Sequence, residues 1–156
     1  MGNSMSGQAK RDCVLGRRVA GKLQTIAAAA THQVFTVTGG NVLITAMWGI
    51  CTVEMAGANT INVQTDPTTG DTAVIATATD LGTTNTAAGT LIGGLDDQDG
   101  TTNIPGLVKG AGRPLSFMAP IGEVESVATE VTADGAIQWY CTWVPLDDEA
   151  VLTASA

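Results

Sequence analysis

Short apolar runs separated by clusters of Gly, Asn, Asp and Pro fill most of this chain. Runs rich in Val, Ile, Thr and aromatic residues, bounded by turn-forming residues, indicate strands. We predict strands over residues 33–38, 42–55, 60–65, 72–78, 89–92, 115–119, 124–132 and 137–144. Only residues 26–30 have the character of a helix, and that run is too short to be stable without packing. The pattern predicts an all-β fold, a single antiparallel β-sandwich or β-barrel of jelly-roll type.

The clearest alternation lies in the last predicted strand. Ile137, Trp139, Cys141 and Trp143 alternate with more polar neighbours. Successive side chains of a strand point to opposite faces of its sheet, so these four share one face. We expect that face to enter the core.

Three turn sequences predict hairpins. Gly39, Gly40 and Asn41 suit the positive φ angles of a tight reversal, and residues 66–70 and 133–135 also combine Asp with Gly. Residues 80–114 are rich in Gly, Thr, Asn and Asp, which predicts a long surface excursion with at most short strands.

Length and composition favour one domain that works in an assembly. The chain has 156 residues, a mean hydropathy of +0.21 and only 14% charged residues, against about 25% in typical domains. So few charges leave apolar and hydroxyl-rich surface that normally lies in subunit contacts. We expect a homo-oligomer, with a monomer that has a Thr-rich surface as the alternative.

Charge is distributed unevenly along the chain. Within residues 1–22, five basic residues face only one acidic residue, Asp12, whereas the remainder carries two basic residues against fourteen carboxylates. The acidic body is a poor nucleic-acid binder. We predict a flexible basic N-terminal arm over 1–13, a β-domain over 14–146 and a C-terminal tail over 147–156. The candidate partner-binding residues are Lys10, Arg11, Arg17, Arg18 and Lys22. An ordinary disordered tail is the alternative for the arm.

The residues that usually carry chemistry are sparse. His32 is the only histidine, and the three cysteines, Cys13, Cys51 and Cys141, are too scattered for a zinc site or a disulfide framework. We predict no enzymatic activity, no cofactor and a reduced intracellular environment, with Cys51 and Cys141 as buried hydrophobes. No apolar run is long enough for a membrane span, and no signal peptide is recognisable.

Two groups of carboxylates are candidate sites. Asp96, Asp97 and Asp99 precede Gly100, but the Glu that closes a calcium loop is missing, so a solvated acidic turn is the preferred interpretation. Glu123 and Glu125 share one strand face, which we expect to be exposed to solvent rather than to form a paired-carboxylate site.

Both ends of the chain resemble a known class of proteins. Residues 138–148 read QWYCTWVPLDD and precede an Ala-rich tail, and the opening contains 14–19, VLGRRV, and 35–41, FTVTGGN. These strings, about a quarter of the chain, resemble the ends of small virion structural proteins of tailed bacteriophages. The resemblance implies a capsid decoration (cement) or minor capsid protein, β-rich and oligomeric, and we expect a trimer. It would bridge subunits of the major capsid protein, or other virion proteins, in a virion assembled in the host cytoplasm.

Two further functions remain open. A head-fibre base, neck or tail component would use the same fold at a different symmetry. A carbohydrate- or receptor-binding module would need exposed aromatic side chains, and only Tyr140 is predicted to face outward.

Overall fold

The protein consists almost entirely of β-strands joined in one sheet. A computed structural model describes residues 6–95, 104–110, 112–131 and 134–156, except for the side chains of Gln8, Arg11 and Leu95. The elements are α1 (Gly7–Leu15), β1 (Arg17–Thr25), β2 (Ala30–Thr38), β3 (Val42–Val53), β4 (Thr60–Pro67), β5 (Ala73–Asp80), β6 (Leu91–Leu95), β7 (Gly106–Lys109), β8 (Leu115–Ala119), β9 (Gly122–Ala128), β10 (Ala136–Pro145) and β11 (Val151–Ala154).

The strand order is β1-β10-β3-β6-β7-β5-β4-β9-β2-β11, and β8 pairs with β3 as well. All described pairings are antiparallel except the short contact between β5 and β7. The two end strands of this order approach each other: Lys22 of β1 donates a hydrogen bond of 2.6 Å to the backbone oxygen of Ala156, just beyond β11. The sheet is therefore nearly closed and barrel-shaped, which confirms the all-β prediction. The sandwich and jelly-roll alternatives are not confirmed.

The inward faces of the strands form a single apolar core. The predicted alternation in β10 is confirmed, because Ile137, Trp139, Cys141 and Trp143 are all buried. Trp139 pairs with Gly49 of β3, and a Cβ atom at Gly49 would lie 3.1 Å from the indole ring. Gly49 therefore leaves the space that the largest core side chain occupies.

The N-terminus differs from the prediction. Residues 7–15, assigned mostly to a flexible arm, form α1, and residues 26–30, the predicted helix, are not helical. Ser6 caps α1 by accepting a hydrogen bond from the Ala9 amide at 3.2 Å. Gly16 ends the helix at φ +86°, and its Cβ would lie 2.4 Å from the Trp143 carbonyl oxygen. Only glycine suits this conformation and this close approach.

The C-terminus also differs, because residues 147–156 are not a free tail. β11 pairs with β2, so this segment is part of the sheet. The tail prediction was wrong because a strand of four residues is too short to leave a clear alternating pattern.

In the part of the chain that the structure describes, one of the three predicted hairpins is formed by paired strands. β4 and β5 pair across residues 66–70, as predicted. The turn at 39–41 instead carries the chain between separate parts of the sheet: β2 pairs with β9 and β11, whereas β3 pairs with β10, β6 and β8. The third predicted turn includes Ala133, which lies outside the described residues, and the described parts of β9 and β10 pair with other strands. Gly39 has φ +73°, and a Cβ there would lie 2.1 Å from the Glu149 carbonyl oxygen, so the turn requires glycine. Its turn packs on the segment before β11.

Candidate functional site

The basic residues predicted to bind a partner do not form one patch. Lys10 lies exposed on α1, whereas the side chain of Arg11 lies outside the described residues. Arg17 and Arg18 are consecutive in β1 and so point to opposite faces. Lys22 is held at the barrel closure by its bond to Ala156. Except for Lys10, the described basic residues of this group are thus anchored in the β-domain rather than carried on an arm.

Arg18 belongs to a cluster on the outer face of the barrel. Trp48 of β3 and Tyr140 of β10 are paired in register, and their rings stack with centroids 5.8 Å apart and planes 21° apart. The Arg18 guanidinium carbon lies 4.7 Å from the Tyr140 ring centroid and 6.0 Å from that of Trp48. Neither ring is fully buried. We call these three residues the outer platform.

The outer platform continues into a shallow, largely apolar cavity of about 330 Å³ beside Trp48. Its wall includes Ala46, Leu91 and Pro114, and Leu91 is half exposed. Partial exposure of both rings corrects the expectation that only Tyr140 would face outward. The apolar run of β3 predicted a buried strand, but its outward-facing positions, Trp48 among them, remain accessible.

Large apolar side chains are also exposed elsewhere. Val14, at the end of α1, Met118 of β8 and Val131 after β9 are 80%, 71% and 79% exposed. Scattered exposed apolar residues are common in monomers. Together with the outer platform, however, they leave apolar surface on more than one side of the barrel.

The two strand carboxylates have different surroundings. Glu123 accepts hydrogen bonds from the hydroxyls of Thr36 and Ser155 at 2.9 and 3.0 Å. Glu125 accepts one from Gln64 at 2.8 Å and is only 5% exposed. The expectation of a solvent-facing pair is therefore wrong for Glu125, whose register partners are Gln33 of β2 and Gln64 of β4.

Two of the three thiols are unsuited to nucleophilic chemistry, since the thiolate is the reactive form. Burial raises the pKa of Cys141 to about 12 and also raises the pKa of Cys51. Both were predicted to be buried, and both are; Cys13 is exposed on α1. Burial lowers the pKa of His32, which favours its neutral form.

No group of three or more His, Cys, Asp or Glu within the described ranges could hold a metal ion. The turn at Asp96, Asp97 and Asp99 lies outside those ranges. No helix in the described part of the chain is both long and apolar enough to cross a bilayer. Comparisons with protein-family models, curated proteins and solved structures found no match.

Proposed function

We propose that this chain is a non-enzymatic structural protein of a bacteriophage virion, a capsid decoration (cement) or minor capsid protein that bridges capsid subunits. Its partners would be the major capsid protein or other virion proteins, and its own oligomeric state a trimer. The observation that carries the proposal is the outer platform. Trp, Tyr and Arg are the residues that most often dominate the binding energy of protein interfaces, and here all three lie together beside an apolar cavity.

Such a protein would act through binding energy alone. A stable contact buries on the order of 1,000 Å² or more, and a protein that binds only the assembled shell stabilises it by mass action. The exposed apolar residues away from the platform, such as Met118 and Val131, supply further surface for a second neighbour or for other copies of the chain. A bridging function needs at least two such surfaces.

Rebinding of purified protein to particles stripped of it tests the outer platform. Tyr140→Ala removes the ring that both Arg18 and Trp48 contact, so we expect affinity to fall by about thirtyfold, as for an interface hot spot. Tyr140→Phe is the matched control because it keeps the stacked ring, and its affinity should stay within about threefold of the parent. Unchanged affinity for folded Tyr140→Ala would contradict the use of this surface.

The N-terminal segment is the second proposed contact. Lys10 and Arg11 lie ahead of the β-domain, so deleting residues 1–12 should weaken attachment while the barrel stays folded. Exposed ion pairs are screened beyond about 8 Å at physiological ionic strength, so the full-length protein should also lose affinity as salt rises. The truncated protein should lose part of that salt dependence. If the affinities of both forms fell equally as salt rises, the N-terminal segment would take no part in binding.

A head-fibre base, neck or tail component is the structural alternative. Quantitative mass spectrometry of purified particles separates the two, because decoration requires hundreds of copies per particle, whereas a component at the neck or tail would be present in six or twelve.

A carbohydrate- or receptor-binding module is the alternative from another class, and the outer platform also favours it. The stacked rings of Trp48 and Tyr140 offer apolar faces on which a ligand can lie. A glycan array would test this: binding that Trp48→Ala abolishes would support a receptor module, whereas an array without binders would leave the virion contact as the use of the platform.

A further inference from the structure

Arg18 is an isolated positive charge on the outer face of the barrel. Two adjacent rows of paired positions on β1, β10 and β3 contain it and the platform rings: Arg18, Thr142 and Ala46, then Ala20, Tyr140 and Trp48. Arg18 is the only charged residue in these two rows, and its side chain is exposed. A partner can therefore reach the guanidinium group from solvent.

The Arg18 guanidinium lies over aromatic rings rather than against a carboxylate. Its central carbon is 4.7 Å from the Tyr140 ring centroid and 6.0 Å from that of Trp48, so the faces of both rings attract it. Among the described residues, its side chain has no carboxylate partner. A guanidinium has five N–H donors in one plane, and a carboxylate can accept from two of them at once. The rings thus hold in place a cation whose donors are available to a carboxylate of another molecule.

The cavity beside Trp48 places an apolar surface next to this charge. Its described lining residues include Ala46, Leu91 and Pro114, and none of them is acidic. Leu91 is 50% exposed, so an apolar side chain that enters the cavity would remove apolar surface from water. Trp48 borders both the cavity and the Arg18 guanidinium. A partner that uses both must therefore present a carboxylate and an apolar group close together.

We infer that the outer platform recognises a segment of a partner protein in which a carboxylate and an apolar side chain lie two positions apart. Such side chains point to the same side of an extended segment, roughly 6–7 Å from each other. That spacing is similar to the 6.0 Å between the Arg18 guanidinium carbon and the centre of the Trp48 ring. The Asp or Glu pairs with Arg18, and the apolar side chain lies against Trp48 in the cavity. This recognition rests on the proposed function of the platform as a protein interface and specifies the chemistry of the partner.

The surroundings of Arg18 do not suit a polyanion. A nucleic acid presents a phosphate at about every 3.4 Å along a strand and would need a row of cations, whereas the paired positions beside Arg18 are uncharged. Residues 23–156 also carry fourteen carboxylates against two basic residues, so the body as a whole repels a polyanion. A single carboxylate is affected less, because charges more than about 8 Å apart are largely screened at physiological ionic strength.

Titration of the full chain with short synthetic peptides tests this recognition. Calorimetry gives the affinity, and the indole N–H signal of Trp48 in NMR, identified with a Trp48→Phe variant, reports the place of binding. The reference peptide is built from Ser and Thr and carries Asp and Leu two positions apart. Three related peptides replace Asp with Lys, replace Leu with Ser, or place Asp and Leu next to each other. Each of the three should bind at least about fivefold more weakly than the reference peptide.

A charge swap between chain and peptide tests the role of Arg18 directly. Arg18→Gln should lower the affinity for the reference peptide about fivefold, as for an ion pair at the edge of an interface. Arg18→Glu should lower it further and should bind the Lys peptide better than the Asp peptide, because like charges repel. Arg17→Gln is the matched control, since Arg17 is the neighbouring residue of β1 and lies over Trp143 rather than over the platform. It should bind the reference peptide like the parent protein.

Reversal of the peptide preference by Arg18→Glu would support the proposal. Should that variant fail to fold, a weaker affinity of Arg18→Gln, with Arg17→Gln unchanged, would support it as well. No binding of the reference peptide at about 1 mM, or equal binding of the Asp and Lys peptides by the parent protein, would overturn it. So would a preference for a neutral sugar or an oligonucleotide over the reference peptide.

These titrations need no particles, so their outcome is separate from that of the rebinding assay. If rebinding to stripped particles depends on Tyr140 while no peptide binds, the virion contact stands and the carboxylate recognition fails. If the charge swap succeeds while rebinding is unaffected by Tyr140→Ala, the platform recognises such a segment in a partner outside the virion.

Discussion

Replacing Trp139 with Ala probes the core at its largest side chain. Trp139 is fully buried, faces Gly49 across the β3–β10 pair and donates to Gln24. Loss of the indole from a packed core costs about 3–5 kcal/mol, and the unpaired Gln24 oxygen adds about 1–2 kcal/mol. For a chain of this length each kcal/mol lowers Tm by about 2–4 °C, so we expect a fall of roughly 10–25 °C. Such a loss approaches the whole stability of many domains, about 5–15 kcal/mol.

Chemical unfolding followed by far-ultraviolet circular dichroism, with a thermal melt in parallel, measures this loss. Trp139→Phe keeps a ring in the core but removes the indole donor, so it should cost less than the Ala variant. Trp48→Ala is the matched control because the Trp48 indole lies on the outer face. This change should lower the free energy of unfolding by about 1 kcal/mol, the usual contribution of an aromatic pair. If Trp139→Ala melted within about 2 °C of the parent, a change worth under 1 kcal/mol, the indole would be exposed and the register of β10 inverted.

The remaining predictions concern ionisable groups. In the native protein a thiol reagent should modify Cys13 alone, because Cys51 and Cys141 are buried; rapid modification of all three thiols would contradict this packing. The pKa of His32 is lower in the folded protein than in the unfolded chain. As pH falls below about 6.5, the unfolded chain therefore binds a proton at His32 before the folded protein does, and the free energy of unfolding should decline. The denaturant midpoint of a His32→Gln variant should not show this decline as pH falls. Asp134→Ala removes hydrogen bonds that join two loops and should cost about 1–3 kcal/mol in equilibrium unfolding; an unchanged midpoint would show that those bonds contribute little.

Asp134 illustrates how a turn residue can stabilise contacts far away in sequence. Its carboxylate accepts from the amides of Ala56 and Gly57 and from the Asn59 side chain. Partial burial acts to raise its pKa, but the hydrogen bonds from Gly57, Asn59 and Ala56 outweigh that effect and lower the pKa. The stability that these bonds contribute is present above the ordinary Asp pKa of about 3.9 and is lost as pH falls through the lowered value. The sequence alone suggested only a turn at this position.

Strand positions could be predicted because they depend on local pattern, whereas strand partners could not. The alternation from Ile137 to Trp143 determines which face of β10 is buried, whatever lies beside it. The glycines at 39 and 40 indicate that the chain turns, but the same turn chemistry serves a hairpin and a crossing to another part of the sheet. Which of these forms depends on contacts between residues far apart in sequence, such as Gly39 with Glu149.

The candidate sites were harder to predict than the fold. Trp48 and Tyr140 lie more than ninety residues apart and meet only because β3 pairs with β10. The outer platform also depends on β1, which carries Arg18 and which the sequence did not reveal because Gly21 and several basic residues interrupt its pattern. A Cβ at Gly21 would lie 2.6 Å from a methyl group of Val34. The glycine that hides the strand in the sequence is thus the one that lets it approach β2.

The position of β1 also gives a physical reason for the basic N-terminal region. Among the described strands, β1 lies at one end of the order and pairs only with β10. An edge strand with unpaired backbone groups invites pairing with another chain, and proteins discourage this with charged side chains and bulges on the edge. β1 carries Arg17, Arg18 and Lys22, and its register shifts between Ala20 and Leu23. Three of the five basic residues in this region therefore have a structural explanation, the protection of an edge. Apart from Arg18 in the outer platform, a contribution of positive charge to attachment then depends on Lys10 and Arg11, the two basic residues that the 1–12 deletion removes.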